Sequence, residues 1–513
     1  MTAKPDQASD WPETIDGGRL IPVPLGADLR PLTSFAESIR LWLSRQPTLR
    51  GASVAGLDVV LGNPGYFFVV APAAARLHPD FVEIVEQRIA ARPDVQIFYG
   101  DDAVEGDGGS SSEVHCKPQL SRALLFAQDY IGFPLIIRSD ALCAADHLPR
   151  IDTGGFWYDF CLMAVAANAA FDRIPHTLMM ARSARSQARI EDRLSALSQN
   201  FPGFEFAESA TAGSIRAKRK FADYPAVTII VPTNRSKPEP RQGDDGGMPH
   251  IASLLGSLSK STWRMNRIKL LIGDDTGDDG FYDQFDLPFS IEVVDTRRPD
   301  GERFNYARKV NRLWRQVDTE LIVILNDDIV IEAPDWLESL YTFGLERDVG
   351  GVGARLMFPN GTIQHAGMVG GIYEVFAHAW YKCEDAAPTY ENWASVHRDV
   401  SAVTGAAFAT RRSVLEAVNG LDETFALDFN DVDLCLKMQL LGYRIVYTPH
   451  ARMTHHESAS RGAQFAPGAE ISIFLNRWRD CIRDDPMFNP QLSRTDSDVR
   501  VSPSAVAAFG SSS

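Results

Sequence analysis

Residues 321–331 read LIVILNDDIVI, an apolar run, three polar residues, then a second apolar run. The first run, Leu321 to Leu325, suits a strand buried on both faces in the middle of a parallel sheet. Such a strand has to stop at Asn326-Asp327-Asp328, because adjacent carboxylates repel each other unless a cation or hydrogen-bond donors lie between them. A hard divalent cation with oxygen ligands, shared with substrate phosphates, answers that need. A turn or a helix cap is the other reading, since Asn and Asp favour both.

The same pattern recurs upstream. VTIIVPT (227–233) is a β-branched run closed by Pro232 and Thr233, and the run Ile268 to Gly273 leads into Asp274-Asp275. Helical patterns at 251–259 and 306–317 separate these runs, which predicts a doubly wound α/β sheet with its ligands beyond the carboxyl ends of the strands. The stretch 234–250, rich in Pro, Gly and charge, reads as a mobile loop. Further on, LDETFALDFNDVDLCLKMQL places Asp431 and Asp433 at the start of a partly apolar helix. The helix dipole favours carboxylates there, so Asp431 is either a cap or a general base at a pocket rim. His455-His456, beside Glu457, follows the strand pattern IVYTP. Near a DxD-like turn, such a pair reads as metal-ligating. GTIQHAGMVGG (361–371) reads as a Gly-rich loop lining the cleft, with Gln364-His365 at its centre.

Composition narrows the class. A chain of 513 residues is long enough for several domains. With 51 Lys and Arg against 67 Asp and Glu, the net charge of −16 argues against nucleic acid as the main partner. Six cysteines without a CxxC pair give neither a disulfide framework nor a zinc site, which fits a reducing cytosol. No apolar run is long enough to span a membrane and the opening residues lack a signal core, so a cytoplasmic chain is expected, with peripheral attachment at the inner face of the plasma membrane left open.

The first half alternates short strands and helices as well. Strands are expected at 65–71, 95–99 and 174–180, and helices at 34–45 and 79–91. A charged helical connector at 185–198 leads to a loose stretch, PGFEFAESATAGS. The expected organisation is a tail and helix over 1–56, a first domain over 57–190, a connector over 191–222, a second domain over 223–490 and a flexible tail over 491–513.

Taken in order, VTIIVPT, GDD (273–275), FNYARKVNRLW, VILNDDIVI, GVGARLMFPNGTIQHAGMVGG, AVTGAAFATRRSVLEAVNGLDETFALDFNDVDLCLK and YTPHARMTHHESASRG resemble family 2 glycosyltransferases, the inverting GT-A enzymes. They are most similar to the bacterial branch that builds O-antigen and other surface polysaccharides, including rhamnosyltransferase-like members. The resemblance implies a GT-A (Rossmann-like) catalytic domain, a nucleotide-diphosphate sugar donor, a glycan or lipid-linked acceptor, and Mn²⁺ or Mg²⁺. It assigns Asp431 as the base and Asp328 and His455 as metal ligands. It sets Thr233, Asp274, Asn305, Asn311, Asn326 and Asp327 at the donor, and Gln364 and His365 on the acceptor side. The first half resembles a truncated, degenerate GT-A domain. There the acidic triad is replaced by Ala71-Pro72-Ala73-Ala74, the base position is Trp157 and the histidine position is Met180, so an inactive domain is expected. The alternatives are a noncatalytic scaffold or glycan-binding subunit and, less in keeping with VPTNRSKPEP, a nucleotidyltransferase.

Overall fold

The computed structural model describes residues 20–25, 67–72, 75–105, 111–143, 155–181, 188–238, 247–456 and 468–507. The helix expected at 34–45, Glu457, and residues 239–246 of the loop expected at 234–250 lie outside these residues.

The first half carries β1 (Leu20–Leu25), β2 (Phe67–Pro72), β3 (Arg76–Leu77), β4 (Ile97–Glu105), β5 (Ser111–His115), β6 (Leu135–Arg138) and β7 (Phe171–Ala181). They form one sheet in the order β1-β2-β6-β4-β7-β3, with β5 on β4. A hairpin, β8 (Phe204–Glu208) and β9 (Ile215–Arg219), follows the helix Ile190–Asn200. The stretch expected to be loose is therefore half a hairpin. Its Phe204 and Phe206 pack with Phe126, Phe201 and Phe343 into an aromatic cluster, an apolar gain that local polarity had hidden.

The second half carries β10 (Val227–Thr233), β11 (Ile268–Asp274), β12 (Ser290–Asp295), β13 (Leu321–Leu325), β14 (Ile329–Ile331), β15 (Val349–Met357), β16 (Ile363–His365), β17 (Met368–Gly370), β18 (Phe376–His378), β19 (Arg398–Val400), β20 (Ala407–Arg411) and β21 (Arg444–His455). The main sheet runs β12-β11-β10-β13-β20-β15-β21-β14, with β16 on β15 and β19 on β21. Every residue of β10 and β13 is buried, as their unbroken apolar runs require. The Gly-rich stretch expected as a loop contains β16 and β17.

The two sheets share one order and one set of strand senses. β1 is parallel to β2 as β10 is to β13, and β4 is parallel to β7 as β15 is to β21. The intervening pairs are antiparallel in both. Among the described residues, the first sheet has no counterpart of β11 and β12. Register fixes the equivalence. Phe67 pairs with Arg138 as Leu321 pairs with Arg411. Counting forward, Pro72 stands where Asn326 stands, and the next two residues in sequence, Ala73 and Ala74, lie outside the described residues. Arg76 pairs with Met180 as Val330 pairs with Thr454. The place of His455 thus falls to Ala181, one residue beyond the Met180 read from sequence. In the helix Phe156–Ala166, Trp157 takes the place that Asp431 holds in the helix Asn430–Leu440.

The halves are not joined by a loose linker. One apolar core runs through both. The segment after the helix Gly468–Arg483 crosses from one to the other: Asp485 accepts from Gly370 N (2.8 Å), while Asn489 Nδ2 donates to Asp101 Oδ1 and Oδ2 (2.9 and 2.8 Å). Asp101 lies in β4, buried, its carboxyl pushed up to about 6 by burial. The expectation of a flexible tail fails for 491–507, where Leu492, Val499 and Ala505 are buried and Leu492 bridges to Val501.

Candidate functional site

β10, β11 and β13 lie side by side and parallel, so their carboxyl ends place Thr233, Asp274 and Asn326-Asp327-Asp328 along one edge. Thr233 Oγ1 donates to Asp327 Oδ2 at 2.5 Å. Asp327 is pushed up to about 6, chiefly by burial, with the Thr233 hydrogen bond opposing and Asp328 adding repulsion. Lys309, buried in the helix Tyr306–Trp314, reaches Thr233 O (2.8 Å) and Asp275 Oδ2 (2.8 Å). Burial lowers its pKa against the pull of Asp275, Asp327 and Asp274.

A folded-state pKa above the unfolded value means that ionised Asp327 opposes folding. That cost is full above about pH 6 and disappears as pH falls toward the unfolded value. Asp327→Asn, measured with chelator present, is therefore expected to stabilise the fold at pH 8 by on the order of 2 kcal/mol. The gain should shrink on going to pH 4.5. Urea midpoints at the two pH values check this, and no gain at pH 8 contradicts it.

His455 is the last residue of β21, not a loop residue, and pairs with Ile329. Its Nε2 lies 3.1 Å from Asp328 Oδ1 and 3.4 Å from Asn326 Nδ2, and Gln364 Oε1 contacts its Nδ1 at 2.6 Å. A separation of 3.1 Å lets one oxygen and one nitrogen share a cation at bond lengths of about 2.1–2.2 Å. Among the described residues there is no cluster of three or more His, Cys, Asp or Glu able to hold a metal. A cation held here would complete its shell from phosphate and water, as Mg²⁺-type sites do.

Asp431 occupies the first turn of the helix Asn430–Leu440. Its Oδ2 accepts from Gly405 N and its Oδ1 from Val432 N, both at 2.9 Å. Next to Gly405, Ala406 O accepts from Asn326 N at 2.9 Å. The turn 404–406 thus ties Asp431 to the strand end that carries Asp328. Phe429 enters the helix at φ 61°, a left-handed conformation costly for an aromatic residue. Its ring stacks on Phe474 at 4.4 Å, which offsets the strain. Asp433, two residues on, is fully buried against Arg477 and Trp478 and anchors the helix instead.

Other expected site residues do different work. Asn305 caps the helix Tyr306–Trp314 through Arg308 N and donates to Glu423 O. Asn311 is buried: its Nδ2 donates to Leu421 O and Glu423 Oε1, and its Oδ1 accepts from Leu421 N and Trp314 Nε1. With these bonds made internally, both residues brace the 421–423 turn and are corrected from donor contacts to supports. Asp274 is buried and accepts from Tyr282, both donors of Thr276, and Arg235. Burial pushes its pKa up, but these bonds outweigh it and hold it below the usual value. His365 is fully buried, with Nδ1 2.9 Å from His378 Nδ1, so it does not face an acceptor. Gln364, on the neighbouring position, turns to His455. Lys309 and Arg235 were missed. Lys309 was hidden by a helix that reads as amphipathic, and Arg235 by a loop whose fold is not local.

Residues 225–468 match the family described as glycosyltransferase-like family 2. The likeness to family 2 glycosyltransferases thus lies in the second half of the chain. Over 445 residues the chain is 29% identical to the uncharacterized protein y4gI of Sinorhizobium fredii, covering 81% of this chain and 47% of that one. It is 28% identical over 445 residues to the O-antigen biosynthesis protein RfbC of Myxococcus xanthus, covering 82% and 33%. Over 234 residues it is 25% identical to an N-acetylglucosaminyl-diphospho-decaprenol L-rhamnosyltransferase of Mycobacterium tuberculosis, covering 42% and 74%. The chain thus spans half or less of the length of the first two relatives.

Proposed function

We propose that the second half transfers a sugar from a nucleotide-diphosphate sugar to a hydroxyl of a glycan or lipid-linked acceptor, with inversion. The observation that carries this reading is the turn 404–406, which binds Asp431 on one side and the Asn326 strand end on the other. It sets one carboxylate apart as a base, beside an oxygen and nitrogen pair suited to a cation. Asp431 takes the proton of the acceptor hydroxyl as that oxygen bonds to the anomeric carbon. The carbon–oxygen bond to the diphosphate breaks, and its electron pair leaves with the nucleoside diphosphate. A Mn²⁺ or Mg²⁺ held by Asp328 and His455 would neutralise charge growing on that leaving group. Lys309, fixed at the ends of β10 and β11, adds a positive charge in a buried setting where it acts strongly.

The relatives' names support a surface-polysaccharide role with a lipid-diphosphate-linked acceptor; attachment at the inner face of the plasma membrane is part of the same proposal. Among the described residues no helix is long and apolar enough to cross a membrane. The first half acts as a noncatalytic domain. Among the described residues, Ala181 holds the place of His455 and Trp157 that of Asp431, and in sequence Ala73-Ala74 follow Pro72 where the second half has Asp327-Asp328, so these positions offer no metal ligand and no base.

The test is a donor screen. The full chain is mixed with a panel of nucleotide sugars and Mn²⁺ or Mg²⁺, with glycan and lipid-linked acceptors, and nucleoside diphosphate release is followed. Release from one donor is expected, abolished by chelator and by Asp328→Ala. No release with any donor, together with no metal-dependent nucleotide binding by calorimetry, would overturn the enzyme reading in favour of a scaffold.

A further inference from the structure

We infer that Gln364 is a positioning residue that fixes the ring of His455 in the tautomer able to bind a metal, an assignment that rests on the metal reading above. Gln364 Oε1 lies 2.6 Å from His455 Nδ1. A carbonyl oxygen only accepts, so Nδ1 carries the proton and Nε2 keeps its lone pair. That nitrogen is the one 3.1 Å from Asp328 Oδ1. Metal-binding histidines depend on such a partner for ring orientation and tautomer.

The backbone is built to deliver this contact. Leu356 pairs with His365 and Met357 with Ile363, so Gln364 is the extra residue of a β-bulge between β15 and β16. A bulge turns a side chain out of the regular alternation of the strand, and here it points Gln364 across to β21. The side chain is buried, at 5% exposure.

The first half supplies an internal comparison. By register, Asp102, Ala103 and Met179 stand where Leu356, Met357 and Met453 stand. Asp102 pairs with His115 as Leu356 pairs with His365. The next pair is Ala103 with Val114, in unbroken register. Where the second half has Gln364 in a bulge, the first has Val114 in a regular strand. Where the second has His455, the first has Ala181. His115 is kept at the place of His365. The glutamine, a bulge at this pair and the histidine at the place of His455 are therefore absent together, while the neighbouring buried histidine stays; the β4–β5 irregularity falls further on, between Val104 and Glu105. A residue needed only for packing would not follow the ligand in this way.

The test measures Mn²⁺ binding to the full chain by electron paramagnetic resonance, without donor or acceptor. Wild type should bind, and His455→Ala should lose that site. Gln364→Leu cannot accept the proton and should weaken binding by about 10-fold or more. Gln364→Glu keeps the acceptor and should bind as tightly as wild type or tighter. Thermal midpoints of all variants separate loss of fold from loss of site. If Gln364→Leu binds Mn²⁺ like wild type while His455→Ala does not, the assignment is wrong and the metal reading stands. If Gln364→Leu and Gln364→Glu weaken binding equally, the glutamine is a structural filler and the assignment also fails. If wild type binds no Mn²⁺, the metal reading fails and takes this assignment with it.

Discussion

Asp431→Asn is expected to lower kcat by ~10²- to 10⁴-fold while leaving donor binding near wild type. The amide keeps an oxygen for the Gly405 N–H at 2.9 Å and keeps the shape of the first helical turn. What it loses is the acceptor for Val432 N and the ability to take a proton. The loss should therefore appear in kcat and in kcat/KM for the acceptor, with little change in the calorimetric affinity for donor and metal. Asp433→Asn, on the same turn, is expected to behave differently. That carboxylate is buried against Arg477 and Trp478 at 2.8 and 3.0 Å, so its effect should be on stability. An Asp431→Asn protein that turns over at more than a tenth of the wild-type rate rules this residue out as the base.

The largest expected effect on stability lies where the halves meet. Arg444 contacts Glu346 Oε2 (2.8 Å), Asp348 Oδ2 (2.8 Å) and Asp399 Oδ1 (2.5 Å). Glu346 also pairs with Arg122 and Arg219, and Asp399 accepts from Ser121 Oγ at 2.6 Å. Burial works against the Arg444 charge, but the three carboxylates outweigh it and raise its pKa. Arg444→Met removes the one cation that touches all three. It leaves the Asp399 side chain, 2% exposed, without its ion-pair partner at 2.5 Å. Breaking one side of a buried ion pair costs about 3–5 kcal/mol. The urea midpoint should fall accordingly, and amide exchange should rise in 121–127 and 204–219, which pack on this seam. An unchanged midpoint would show that the network contributes nothing to holding the halves.

Much of the second half was legible because its signals are local. β-branched runs closed by polar residues marked β10, β11 and β13 at nearly their true ends. Asp327, Asp328, Asp431 and His455 were singled out, and the structure brings the 326–328 strand end, His455 and the turn holding Asp431 into one hydrogen-bonded neighbourhood. Asn305 and Asn311 carried no local sign of their real work, because their partners at 421–423 lie more than a hundred residues away in sequence. Gln364 points at His455 through a bulge that depends on pairing with β15, and periodicity cannot show a bulge. The segment 491–507 looks polar and tail-like, yet it is held by burial against elements far back in the chain.

The sequence by itself determined where the buried strands β10, β11 and β13 form and which acidic residues end them, since each follows from the few residues around it. Tertiary structure decided the partners. It showed that the two halves share one strand order, that Ala181 and not Met180 holds the place of His455, and that some apparent site residues are braces. The physical reason is range. Propensity and burial pattern act over a turn or a strand, whereas a polar side chain takes its role from whichever donor or acceptor long-range strand register brings within about 3 Å.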